Sequence, residues 1–245
     1  MADDRTIEIE HFADVLCIWA YIGEIRLAQV RAEFGAQVRF KHRFCSVFGD
    51  SLRRIESRWG DKGGIAGFAA HVHEAAADFD HVRVHPDLWQ TVRPASSASP
   101  HLFLHAVAVA NGNDAGGQGR PAPGCLKCSG TETLCQSAQE CAASALRLAF
   151  FRDNRDISTW AVQAEVTEEL GLDVDTVRAA LNSGAAHARL AGDYEDVARL
   201  HIQGSPTLVL DGGRERLYGN VGFRVIEANI QELLRAPDRS HASWC

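Results

Sequence analysis

Ile7-Glu8-Ile9-Glu10-His11-Phe12 alternates apolar and polar positions, the period of a half-buried strand. Over 19–34 the period changes to that of a helix. Ile22, Ile25, Val30 and Phe34 recur at helical spacing, and Gly35 supplies the stop. Alternation returns in Val38-Arg39-Phe40-Lys41-His42-Arg43-Phe44. A strand, a helix and a strand joined this closely predict a right-handed βαβ unit with parallel neighbours. The far end of the chain supplies more sheet. Thr207-Leu208-Val209-Leu210 reads as a strand, Asp211-Gly212-Gly213 as a hairpin turn, and Arg216-Leu217-Tyr218 as the returning strand. Phe223, Ile226, Ile230 and Leu233 then mark the inward stripe of a last helix, which stops before Pro237.

Between these ends, 51–202 is predicted to be mostly helical. Ser99-Pro100 marks a helix start and Asn111-Gly112 its stop. An apolar run over 143–151 predicts another helix. Val162, Val166 and Leu170 share one helix face closed by Gly171, and Asp173 or Asp175 can cap the next helix, with Val174, Val177 and Leu181 inward. A further helix is expected over 190–202, and the Gly- and Pro-rich stretch 111–124 as a loop. The chain thus divides into an α/β domain from 1–50 and 203–236, an all-α insertion over 51–202, and a tail over 237–245.

With 245 residues, 46% of them hydrophobic and 23% charged, the chain can bury a core without staples. A formal charge of −7 gives no electrostatic case for nucleic acid or an anionic membrane, and no apolar run is long enough to span a bilayer. Met1-Ala2-Asp3-Asp4-Arg5 has no apolar stretch of a secretory signal, so a cytoplasmic location is expected. Seven cysteines are an odd number, which disfavours a fully paired disulfide framework.

Cys17 carries the most chemical information. It sits between the first strand and the first helix, where free backbone N–H groups and the helix dipole favour a thiolate. Three residues on stands Ala20, so no second thiol of a Cys-x-x-Cys pair is present. Ile18, Ala20, Trp19 and Tyr21 are candidates to line the site, the two aromatics as a wall or as core. Cys45 follows the second strand, at the same sheet edge as Cys17, and is either a distant partner or a buried strand-end cysteine. Asn220 and Gly222 begin the last helix, whose N–H groups could hold a ligand's carboxylate or simply start the helix.

Cys17-Ile18-Trp19-Ala20-Tyr21-Ile22-Gly23, Gly204-Ser205-Pro206-Thr207 and the terminal ββα pattern together resemble the DsbA-like branch of the thioredoxin superfamily, in particular the FrnE-type oxidoreductases with a helical insertion. Kappa-class glutathione transferases and 2-hydroxychromene-2-carboxylate isomerases are similar in layout. The resemblance implies a thioredoxin-like fold and a cis peptide bond at Pro206. It also implies that Ser205 offers its backbone to an extended peptide or to glutathione. The expected function is thiol-disulfide exchange of a monothiol type, through a mixed disulfide at Cys17. The alternatives are a glutathione-dependent transferase or isomerase acting on a small electrophile, and a non-catalytic binding module. Partners would be glutathione, a thiol or disulfide protein, or a small electrophile; no resident cofactor is required.

Cys125, Cys128, Cys135 and Cys141 form a second group. As soft ligands they could hold zinc, or Cys125 and Cys128 could form a redox pair, or all could be plain loop cysteines. On one continuous helix Cys135 and Cys141 would face different directions. His101 and His105 share a helix face, but with no acid on the same turn they read as a solvated or satisfied pair.

Overall fold

The computed structural model describes residues 6–112, 119–125 and 135–235. Strand β1 (Ile7–Ala13), helix α1 (Ile18–Phe34) and strand β2 (Val38–Phe44) open the chain, and β1 and β2 pair in parallel with His11 opposite His42. Helices α2 (Ser51–Trp59), α3 (Gly64–Ala77), α4 (Ala98–Ala110), α5 (Ala138–Arg147), α6 (Trp160–Glu169), α7 (Val174–Asn182) and α8 (Ala185–Arg199) follow. The chain then returns through β3 (Thr207–Leu210), β4 (Glu215–Tyr218) and α9 (Phe223–Leu234). The sheet order is β2-β1-β3-β4, with β3 antiparallel to both its neighbours. Both ends of the chain therefore build the sheet, and the helical stretch between them is inserted.

The strand alternation sorts residues between two faces. Ile7 and Ile9 pack with Leu27, Val30 and Phe34 of α1 and with Ile226, Ile230 and Leu233 of α9. Phe12 and Val209 point the other way, against Leu200. The β3–β4 hairpin turns through Gly212 and Gly213, both at positive φ, where a side chain would be strained. The inserted helices bury Trp89, Phe103, Phe150 and Phe151 completely, in a cluster that also takes in 15–18 of the strand-to-helix turn. The turn that carries Cys17 is thus packed against the insertion.

Four local expectations are corrected. Ile25 lies at the edge of the α1 stripe and is 39% exposed, with Leu27 taking the inward place. Helix α4 starts at Ala98, with Ser97 at the N-cap position but making no side-chain cap bond, so Pro100 falls inside the first turn, where its missing N–H leaves no intrahelical bond unmade. The run 143–151 is not one α-helix: α5 begins at Ala138 and passes into a π-helical turn over Leu148–Arg152. Helix α8 begins at Ala185, not near 190, directly after Gly184 at positive φ. The Asp173 cap is as read, its carboxylate accepting from Thr176 N–H at 2.6 Å.

Candidate active site at the start of the first helix

Asp14 organises the turn between β1 and α1. Its Oδ1 accepts from Leu16 N–H at 2.9 Å, and its Oδ2 accepts from Phe48 N–H at 2.8 Å and from the Ser97 hydroxyl at 2.7 Å. Its own N–H donates to Ser205 Oγ at 2.8 Å. The Ser205–Pro206 peptide bond is cis. The buried Asp14 carboxylate therefore ties together the first turn, the segment after β2 and the start of α4, and the Asp14 backbone N–H adds the cis-proline loop. Burial raises the Asp14 carboxyl to about 6, although its hydrogen bonds to Phe48, Ser97 and Leu16 oppose the shift.

Cys17 is the N-cap of α1 and its Sγ lies 3.3 Å from the Ser205 carbonyl oxygen, to which the thiol donates. The helix start and the cis-proline loop are thus in direct contact, and the contact runs through the sulfur. The expected thiolate is corrected by the burial. Only 6% of Cys17 is exposed. Loss of solvation raises its pKa, and the nearby Asp14 charge adds to the rise. Hydrogen bonds to Ser205 and to the Ala20 and Trp19 backbone pull the other way and do not prevail. The magnitudes agree: a helix terminus supplies about 0.3–2 kcal/mol, whereas full burial can move a pKa by about 3–5 units. In this arrangement Cys17 is a neutral thiol.

Cys45 lies in the same neighbourhood. Burial pushes its thiol far up and the Asp14 charge adds to the rise, while a hydrogen bond to Ser205, a group that also meets Cys17, opposes it. Neither cysteine is in a disulfide. Of the other lining candidates, Ile18, Ala20 and Tyr21 are buried and Trp19 packs half-buried on the same cluster. Tyr21 stacks on Phe151 with ring centroids 5.1 Å apart, which places it in the core. Pro206 and Asn220 line a groove with His11, Gly23, Arg26 and Leu217. Asn220 Oδ1 accepts from Arg26, and Gly222 is the N-cap of α9. The groove offers about 20 Å³ of free space, room for a water molecule and not for a tripeptide. Cys17 is not among its walls.

A polar centre that the sequence reading missed lies beneath α1. His11 Nδ1 is 3.3 Å from His42 Nδ1, and His42 Nε2 is 2.6 Å from Glu140 Oε1 on α5. Arg31 donates to the same Glu140 oxygen at 2.8 Å, and Arg147 pairs with Glu24. Burial alone would raise the Glu140 carboxyl, but His42, Arg31 and the Gln136 N–H hold it at about 2. Burial, followed by His42, Arg147 and Arg31, keeps His11 well below its ordinary range. The signal was present in the sequence: His11 and His42 occupy inward positions of their alternating strands, in step with Ile9 and Phe40.

His101 and His105 are both buried rather than solvated. His101 Nε2 accepts from Val15 N–H at 3.1 Å and His105 Nε2 lies 2.7 Å from Asp193 Oδ2, so the acid comes from α8. Of the three readings open for the second cysteine group, a Cys125–Cys128 pair and plain loop cysteines are corrected at Cys125 and Cys141. Cys125 is bonded to Cys141 with Cα atoms 5.4 Å apart, while Cys128 lies outside the described residues. Cys135 precedes α5 instead of sharing a helix with Cys141, so the opposed directions inferred from a continuous helix do not arise. No helix among the described residues is long and apolar enough to cross a membrane.

Residues 133–231 match the model of the DSBA-like thioredoxin domain. No curated protein sequence matches the chain significantly. Among solved structures it is similar to a probable DsbA oxidoreductase from Streptomyces coelicolor, at 21% identity over 94% of this chain and 92% of that one, with a TM-score of 0.68. The cytosolic disulfide reductase DsbM from Pseudomonas aeruginosa, solved with GSH, is 18% identical over 94% of this chain and 100% of that one, with a TM-score of 0.58. A 2-hydroxychromene-2-carboxylate isomerase is 18% identical over 93% of this chain and 96% of that one, with a TM-score of 0.57. The matched segment ends within α9, and the structural likenesses run through both chain ends and the helices between them. The chain has the DsbA-like thioredoxin fold.

Proposed function

We propose that the protein is a thiol-disulfide oxidoreductase that works through the single thiol Cys17. The observation that carries this reading is the 3.3 Å contact between the Cys17 sulfur, at the start of α1, and the Ser205 carbonyl beside cis-Pro206. An extended peptide or glutathione pairing with the Ser205 backbone would take over that carbonyl and expose the sulfur. Cys17 then loses its proton, attacks one sulfur of a disulfide and expels the other as a thiolate, leaving a mixed disulfide. A second thiolate attacks the partner's sulfur in that bond, takes it into a new disulfide and expels Cys17 as a thiolate, which regains a proton. Ala20 cannot supply the second thiol, so it comes from glutathione or from a protein partner; attack by Cys45, which shares Ser205 with Cys17, would instead expel the partner and leave a Cys17–Cys45 disulfide for an external thiol to reduce. Ile18 and Trp19 flank the sulfur along the chain, and Asn220 and Gly222 stand where the α9 N-terminus can receive a glutathione carboxylate. A cytoplasmic setting, rich in glutathione, suits a single-thiol enzyme.

The test is the rate of glutathione-dependent reduction of a small disulfide by the native chain and by Cys17→Ser. A loss of at least 100-fold in the variant is expected; equal rates would discard the reading.

The neutral state of the Cys17 thiol favours a second reading, a glutathione-dependent isomerase or transferase. There the Cys17 S–H donates a hydrogen bond to the sulfur of bound glutathione, which attacks a small electrophile. Electrophile turnover that survives Cys17→Ser would support this branch, because serine keeps the donor and loses the nucleophile.

A further inference from the structure

The cysteines of the insertion converge from three places. Cys125 follows Gly124, whose N–H donates at 2.9 Å to the Leu170 carbonyl at the end of α6. Cys135 precedes α5, and Cys141 lies one turn inside it. The sulfurs of Cys125, Cys135 and Cys141 all lie within 4.8 Å of one another. Two of them form the Cys125–Cys141 disulfide. Cys141 is fully buried, and Cys135 is nearly so at the edge of the cavity lined by His42, Gln139 and Arg147.

Three sulfurs in one place exceed what a structural crosslink uses. A tetrahedral thiolate site with metal–sulfur bonds of about 2.3 Å sets its sulfurs roughly 3.8 Å apart. Opening the disulfide and moving each of its sulfurs by about 1 Å reaches that spacing, with the backbone left in place. The Cα separation of 5.4 Å between Cys125 and Cys141 suits a disulfide and also two thiolates on one ion.

We propose that Cys125, Cys135 and Cys141, when reduced, form a thiolate site for a soft divalent metal ion, Zn2+ foremost, and that the Cys125–Cys141 disulfide is the oxidised, metal-free form of that site. Two molecules of a thiol reduce the disulfide and leave as their own disulfide. The three thiols then release three protons as they bind the ion. The fourth coordination position is open to water. In the reverse direction a small disulfide accepts two electrons from the Cys125 and Cys141 sulfurs, which rejoin each other, and the ion leaves. The site uses none of the groups around Cys17, so it stands or falls independently of the oxidoreductase reading.

The experiment is metal analysis of the full chain. The protein is reduced with a phosphine under anaerobic conditions, given Zn2+, passed through a desalting column and measured by elemental mass spectrometry. About one equivalent retained by the native chain is expected. Oxidation with glutathione disulfide should release it, and peptide mapping should then find Cys125 joined to Cys141. Cys135→Ser leaves that disulfide possible and removes one ligand, so its affinity for Zn2+ should fall at least tenfold. Native reduced protein that retains no Zn2+ would overturn the proposal. So would equal affinity in Cys135→Ser, or Zn2+ retained undiminished by the disulfide form. Co2+ provides a readout that needs no variant: sulfur-to-cobalt charge-transfer absorption in the near ultraviolet is expected, and its absence would also overturn the site.

Discussion

Asp14 and Cys17 are three residues apart, and burial raises the pKa of both. Asp14 can remain buried because three donors meet its two oxygens. Asp14→Ala would strand Leu16 N–H, Phe48 N–H and the Ser97 hydroxyl in the interior, at about 1–3 kcal/mol for each unmet group. A loss of about 3 kcal/mol or more in urea unfolding is expected, and a loss below about 1 kcal/mol would show that the network does not hold the turn. At Cys17 the hydrogen bonds that favour a negative charge do not offset the burial. Its alkylation by iodoacetamide should be slower at neutral pH than that of an unhindered thiol and should climb with pH beyond the ordinary thiol range. A rate that levels off near pH 6 would contradict the neutral thiol. The sequence placed the sulfur at the helix start correctly and gave its protonation state wrongly. The helix terminus is a local property legible in Cys17-Ile18-Trp19. The desolvation comes from burial in a cluster that includes Phe103 and other residues of the insertion, far away in the chain.

At the scale of elements, α1 and α5 are joined at two points. Glu24 meets Arg147, and seven residues along each helix Arg31 meets Glu140, a register that requires the helices to run antiparallel. All four side chains are buried or partly so, and Arg31 is 9% exposed. Glu24→Gln leaves the Arg147 charge without its carboxylate, at a cost of about 3 kcal/mol. The double variant Glu24→Gln, Arg147→Met should recover most of that loss, because the stranded charge goes too. If the double variant is less stable than Glu24→Gln, the pair is not coupled as described. The strands, α1, α9 and the capped start of α7 were legible because local periodicity and single capping residues determine them. The start of α4 was not: Ser97 precedes the helix without capping it by its side chain, because its hydroxyl is held by Asp14, 83 positions earlier. The Cys125–Cys141 bond was equally hidden, since the number of cysteines does not set their pairing.

Across the whole molecule, buried titrating groups set the response to acid. His11 and His101 are held below their ordinary range, His101 at about 3, so the unfolded chain gains protons on them first. Their contribution to stability is present above about pH 6.5 and is lost as the pH falls below it. Glu140, held at about 2 against an ordinary 4.5, contributes stability that is lost between those two values. Asp14 has the opposite sign. Its carboxyl is raised from 3.8 to about 6, so the folded state gains as the pH falls through that window. Urea midpoints should therefore decline only gently between pH 6.5 and 4.5, then steeply toward pH 2. Glu140→Gln should flatten the steep limb by about 2–3 kcal/mol. An unchanged limb in that variant would remove Glu140 from the account. The same scale governs access to the site, because the sulfur is buried in a cluster shared by the strand-to-helix turn and the inserted helices and does not line the groove beside Pro206.

The central claim is that Cys17 is the sulfur that exchanges with disulfides. Its most direct test is the intact mass of the native chain after incubation with glutathione disulfide, followed by peptide mapping. A glutathione adduct on Cys17, rising with pH and absent in Cys17→Ser, is the expected result. Adducts confined to other cysteines while Cys17 stays unmodified even at alkaline pH would contradict it.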